Sequence, residues 1–181
     1  DRVEDATTNY FTNNTGLFDQ SYRRSNLLSL VDDVDPSVLS SRATLKLQKR
    51  WTPLLGSQEA AVLRYASPIA EPNDESHTIT STAFFSSGKK VTLKNKLDSY
   101  KLQLVAIDDN TVFVDNVGEY APATGIVTLT GLLVDSIIGG NSFIKISGVA
   151  ANESFSSPGQ NQIVVYDEGP SFVQANLVTT S

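Results

Sequence analysis

Cysteine and methionine are both absent from the 181 residues, and histidine and tryptophan occur once each, as His77 and Trp51. Without cysteine there are no disulfides and no thiolate metal sites. That suits assembly in a reducing cytosol, although many secreted β-proteins lack cysteine too. One histidine leaves a zinc site, which takes three or four N, S or O ligands, without its usual partners, and no H-E-x-x-H spacing occurs. The missing initiator methionine suggests a fragment of something longer, or a processed chain. The first ten residues, DRVEDATTNY, are polar and unlike a signal peptide. No apolar run approaches the length that spans a bilayer, so no membrane partner is expected. Basic charge is scarce as well. Fourteen Lys and Arg stand against 20 Asp and Glu, for a net charge of −6 and a pI of about 4.7. A duplex-binding surface needs clustered cations to displace counterions, so no nucleic-acid partner is expected.

Catalytic and metal-binding constellations are missing too. There is no G-x-S-x-G elbow, so abundant Ser and Asp do not amount to a triad. Asp32, Asp33 and Asp35 invite a calcium reading. Counted from Asp33, however, the sixth and twelfth positions are Val38 and Thr44, where an EF-hand loop needs Gly and Glu. Ser87-Gly88-Lys89-Lys90 lacks the upstream Gly and the following Ser or Thr of a phosphate loop. His77 reads as structural or exposed. No catalytic residue, no metal ligand and no cofactor is assigned, and the chain is not read as an enzyme.

What is present is pattern. Leu27, Leu30, Val31 and Val34 recur at i, i+3, i+4 and i+7, the stripe of an amphipathic helix. From residue 43 the period drops to two: Ala43, Leu45, Leu47 and Trp51 share one face, and Arg42, Thr44, Lys46, Gln48 and Arg50 the other. Pro36 pushes Asp35 toward extended geometry and ends the helix. The unit is helix, acidic elbow, strand. At strand spacing Trp51 reads as core.

The helix is expected to start near Asp19, a good N-cap, and to end around Asp33. Strands are expected over residues 42–52, 61–66, 78–85 (with Ile79, Ala83 and Phe85 on one side), 91–93, 100–106, 111–117, 126–133, 143–149 and 162–166. Residues 67–76 (SPIAEPNDES) read as loop. Gly125 is expected to supply the positive φ of a hairpin turn. Serial short strands favour a β-rich architecture. The fold class is therefore α+β, mainly β: an N-terminal amphipathic helix, then serial, mostly antiparallel strands in one or two small lobes. The expected organisation is an irregular leader (1–16), a helix with antiparallel strands (17–98), and a β-rich lobe (99–181) containing a 111–133 hairpin. A chain of this length buries about 70% of its unfolded surface, enough for a core without staples.

Three segments carry a family resemblance. YRRSNLLSLVDDVDPSVLSSRATLKLQKRWTP (residues 22–53), LRYASPI (63–69) and VGEYAPATGIVTL (117–129) resemble the C-terminal region of baseplate wedge proteins of contractile-tailed bacteriophages, relatives of the baseplate J-like family. By that resemblance Asp32, Asp33, Asp35, Pro36, Ser37, Ser40 and Arg42 form the elbow, and Gly118, Tyr120, Thr124 and Gly125 form the hairpin. The roles inferred for them are that the elbow fixes the angle between helix and sheet and that Gly125 sets strand register. The resemblance implies a structural subunit that joins neighbouring wedge proteins into a ring. It implies a location in the virion tail baseplate, assembly in the bacterial cytoplasm, and a homo-oligomer whose partners are other copies and other baseplate proteins. Leu27, Leu30, Val31 and Val34, with Asp32, Asp33 and Asp35, are the candidate interface.

The basic residues of 42–50 and 89–101 have two readings, a solvated strand face or a patch that meets an acidic neighbour, such as the DDVD elbow of another copy. The competing function is a carbohydrate- or receptor-binding β-module. It would expose aromatic residues beside Asp and Asn at loop tips, near Tyr120 or Phe155.

Overall fold

The computed structural model describes residues 2–14, 21–34, 46–65, 67–151 and 154–156. In chain order the elements are α1 (Arg2–Asn14), β1 (Ser21–Arg23), α2 (Arg24–Asp32), β2 (Lys46–Trp51), β3 (Gln58–Arg64), β4 (Ile79–Ser81) and β5 (Phe84–Ser86). There follow β6 (Lys89–Asn95), β7 (Lys101–Ala106), β8 (Val112–Ala121), β9 (Ile126–Leu133), β10 (Ser136–Ile137), β11 (Ile144–Val149) and β12 (Ser154–Ser156). The chain divides into two units, residues 1–44 with 153–181, and residues 45–152.

In the first unit, α1 occupies most of the stretch expected to be an irregular leader. Its Asn and Thr content gives weak helix propensity. The stripe, however, is there: Val3, Ala6, Thr7, Tyr10 and Phe11 are half-buried at i, i+3, i+4, i+7 and i+8, while Asp5, Thr8, Asn9, Thr12 and Asn13 are exposed. Tertiary contact with α2 overrides propensity. The Thr7 and Thr12 hydroxyls donate back to the carbonyls of Val3 (2.7 Å) and Thr8 (2.8 Å). Helix α2 begins later than the expected Asp19, because residues 21–23 form β1, which pairs antiparallel with β12. Asp19 itself lies outside the described residues.

The second unit is a ten-stranded antiparallel sheet in the order β2-β11-β4-β6-β7-β8-β9-β3, with β5 paired to β6 and β10 to β5. The sheet is nearly closed. Its end strands β2 and β3 are joined by residues 52–57, and the Tyr65 hydroxyl just past β3 donates to the Ile146 carbonyl on β11 at 2.7 Å. Alternation drives the inner side chains together, so Leu47, Trp51, Ile79, Val91, Leu93, Leu102, Leu104, Val127, Leu129, Ile144 and Ile146 form one core. Lys46, Gln48 and Arg50 point out between them, as the two-residue period predicts.

The strand expected over 78–85 breaks at residues 82–83, and its phase changes there. Ile79 is inside, but the next inner residue is Phe84, fully buried, whereas Phe85 is exposed. The segment pairs with β11 before the break and with β10 after it. Strands β6 and β7, on either side of the expected 98/99 boundary, pair directly. Strands β1, β10 and β12 have too few residues to show a period. The expected strand at 162–166 lies outside the described residues.

Candidate functional site

The candidate residues fall on three local structures, and each can be followed upward from its sequence.

On α2, Leu27 is buried, Val31 is half-buried and Leu30 is 38% exposed, and Val34, two residues past the helix, is half-buried. The helix closes with Asp33 N–H donating to the Ser29 carbonyl (3.0 Å) and Val34 N–H to that of Val31 (3.2 Å), a tightened last turn. The Asp32 and Asp33 side chains are exposed at this helix C-terminus, where the macrodipole disfavours carboxylates. Asp35, Pro36, Ser37, Ser40 and Arg42 lie outside the described residues. The stripe therefore stays partly exposed at Leu30, with two exposed carboxylates following it in the chain.

The second local structure is the β8–β9 hairpin. Ala121 pairs with Ile126, and Pro122–Thr124 makes one 3-10 turn between them. Gly125 closes that turn in the left-handed conformation, φ 62° and ψ 33°, with its N–H on the Pro122 carbonyl at 3.2 Å. The turn is also a dock. The Gly125 carbonyl accepts from Tyr65 N–H (2.8 Å) and the Pro122 carbonyl from Ile69 N–H (2.9 Å), so Tyr65 and Ile69 are both tied to the hairpin. A Cβ at Gly125 would lie 2.4 Å from the Ser67 carbonyl oxygen. The Thr124 hydroxyl donates weakly to the Ala121 carbonyl (3.4 Å). Gly118 has φ 151°, and a Cβ there would fall 2.0 Å from the Thr128 carbonyl oxygen.

The third is an aromatic and polar cluster that spacing alone did not assemble. Tyr120 is buried and edge-on to Tyr100, with centroids 5.8 Å apart. The Tyr100 hydroxyl donates to Glu71 at 2.9 Å, and this bond, with the nearby carboxylate charge, raises the phenol's pKa. Burial raises that of Tyr120, whose hydroxyl faces Thr78 without closing a hydrogen bond of good geometry. Thr78 donates instead to the Glu71 carbonyl (3.3 Å). His77 Nδ1 lies 2.7 Å from the Asn95 carbonyl, and the fully buried Asn95 side chain accepts from Ile79 N–H (2.9 Å). His77 thus serves the loop-to-strand junction. Tyr120 and Trp51, both buried, offer no sugar-stacking face.

Ser87 and Gly88, both with positive φ, form the two-residue β5–β6 hairpin turn, with Gly88 N–H on Asp135 Oδ2 at 2.8 Å. Beside it an open hollow of about 340 Å³ is lined by Phe85, Lys89, Lys90, Asp108 and Asp109. The hydrogen bond from the Thr111 hydroxyl to Asp109 (2.7 Å) lowers that carboxyl's pKa. Among the described residues no three His, Cys, Asp or Glu gather to hold a metal ion, and no helix is long and apolar enough to cross a membrane.

Similarity relates the chain to the structural proteins of phage tail baseplates. Residues 1–50, which contain α1, α2 and most of β2, match the family described as "Baseplate structural protein gp6, C-terminal domain III". One particular relative is the baseplate wedge protein gp6 of Enterobacteria phage T4, 31% identical over 90 residues. The matched stretch is 50% of this chain and 13% of that protein, so the chain spans a small part of its relative. Both findings support a baseplate wedge protein C-terminal region, as residues 22–53 lead one to expect.

Proposed function

We propose that this chain is a structural subunit of a phage tail baseplate that joins neighbouring wedge proteins into a ring by surface contacts, without turnover. The observation that carries the reading is the match of residues 1–50 to the gp6 C-terminal domain III. The partly exposed α2 stripe, with Asp32 and Asp33 beside it, supports it. In this reading the partners are other copies and other baseplate proteins, and assembly takes place in the host cytoplasm. Leu30, Val31 and Val34 lie in or beside a contact, and Leu27 anchors the helix beneath them.

The test is a phage carrying Leu30→Asp with Val31→Asp. Electron microscopy of lysates should show tails arrested without complete baseplates, while the purified variant chain keeps its circular dichroism spectrum. Normal baseplates built from the variant would contradict the placement of the contact. Normal baseplates built without the chain at all would contradict the function.

A further inference from the structure

The main path of the ten-stranded sheet ends at β2 and at β3, and the two ends are built differently. Among the described residues β2 pairs only with β11 and β3 only with β9, so each leaves one backbone edge open. An open edge is a template for another strand unless charge, proline or a cover blunts it. Strand β2 is blunted. It carries Lys46, Lys49 and Arg50, and Lys49 falls on the apolar side, between Leu47 and Trp51. Strand β3, QEAAVLR, has no proline and no charge between Glu59 and Arg64.

Register decides which groups β3 presents. Tyr65 N–H, just past the strand, bonds the Gly125 carbonyl at 2.8 Å. Antiparallel bonding alternates, so Leu63 and Ala61 also turn their backbone groups toward β9, opposite Val127 and Leu129. Arg64, Val62 and Ala60 turn theirs to the open side, where they meet no backbone partner among the described residues. Their side chains are exposed, that of Val62 at 56%. The core side of the strand is unfinished as well. Ala61 and Leu63 stay half-buried, whereas Leu129 and Val127 beside them are fully buried. A strand added at this edge would satisfy the backbone and cover Leu63.

Strand β3 fits itself. With two copies set antiparallel about a two-fold axis at Val62, Ala60 faces Arg64 and Val62 faces its own counterpart. These are the residues whose N–H and C=O point outward. On the core side Ala61 meets Leu63. Glu59 stands near the start of the strand and Arg64 at its end. Antiparallel pairing therefore sets the acidic start of each copy against the basic end of the other, whereas parallel pairing sets like against like. Glu59 keeps its bond within the chain, accepting from Leu54 N–H at 2.8 Å.

We propose that β3 pairs with β3 of a second copy of this chain, antiparallel and centred on Val62, so that two β units share one continuous sheet. The proposal rests on the assembly reading above and names one surface through which copies meet. A two-fold contact closes on itself. A ring needs a second contact, which the α2 stripe supplies in that reading.

Sedimentation velocity and amide exchange on the 181-residue chain test it. The chain should dimerise, and the Ala60, Val62 and Arg64 amides should exchange more slowly as rising concentration fills the dimer. Val62→Lys and Val62→Glu should each weaken the dimer about fivefold or more, since like charges then face each other across the axis. Mixing the two variants should restore it, as expected where a residue faces its own counterpart. Val62→Pro should give a folded monomer, because the N–H it removes points away from β9. Should the proline variant misfold, the charge pair decides. A chain that is monomeric at every concentration overturns the proposal. So does a dimer indifferent to both Val62 charges, or one that their mixture fails to restore. A monomer whose Val62 amide exchanges slowly overturns it too, by placing another segment of the same chain on the edge. A dimer lost with Leu30→Asp but kept with Val62→Lys overturns it and leaves the assembly reading standing.

Discussion

Gly118 and Gly125 are held by different constraints, and substitutions separate them. At Gly125 the left-handed conformation disfavours any β-branched residue, and the Ser67 carbonyl lies where its Cβ would go. Gly125→Val should destabilise by about 2–4 kcal/mol in denaturant melts. Gly118→Ala should cost at least as much, because the obstructing Thr128 oxygen belongs to the backbone of the neighbouring strand and cannot swing aside. Two buried tyrosines should behave oppositely. The Tyr65 hydroxyl bonds the Ile146 carbonyl, so Tyr65→Phe should cost about 1 kcal/mol. Tyr120 satisfies no good hydrogen bond, so Tyr120→Phe should be neutral or stabilising by up to about 1 kcal/mol. Burial holds the Tyr65 pKa above its ordinary value of 10. Its contribution is complete below pH 10 and lost as the pH rises beyond that, because the unfolded phenol ionises first. Tyr65→Phe should therefore be less alkali-sensitive than the wild type, read from thermal melts between pH 9 and about 11.

At the scale of elements, the two-residue period of 46–51, the 126–133 strand and the Gly125 turn were legible in the sequence, since each is fixed by neighbours in the chain. The phase change between Ile79 and Phe84 was not, because it depends on which strand each half pairs with. Helix α1 was hidden by its Asn and Thr, although Val3, Tyr10 and Phe11 already marked its buried side. The Tyr100–Glu71 and His77–Asn95 contacts join residues 29 and 18 positions apart, and no local spacing announces them. Of the elbow, only Asp32 and Asp33 fall within described structure. A further test belongs to this scale. Asp135 ties the β5–β6 turn to the start of β10 through Gly88 N–H. Asp135→Ala should cost about 0.5–1 kcal/mol and speed amide exchange at Gly88 and within β5 more than within β7.

Across the whole molecule, the core and the surface serve separate ends. The nearly closed sheet buries one continuous apolar interior and spends few polar residues there: among the described residues only Thr78, Ser86 and Asn95 are buried polar. Six of its adjoining strands contain eight Lys and Arg and no Asp or Glu, while residues 1–44 and 153–181 carry the chain's net negative charge. That division suits a part whose work is done by matching surfaces. The most direct measurement is cryo-electron microscopy of intact tails from a phage encoding this chain. The account predicts density for the β unit repeated symmetrically around the baseplate, with each copy touching its neighbours. A chain found only elsewhere in the particle, or found as isolated copies without mutual contact, would contradict it.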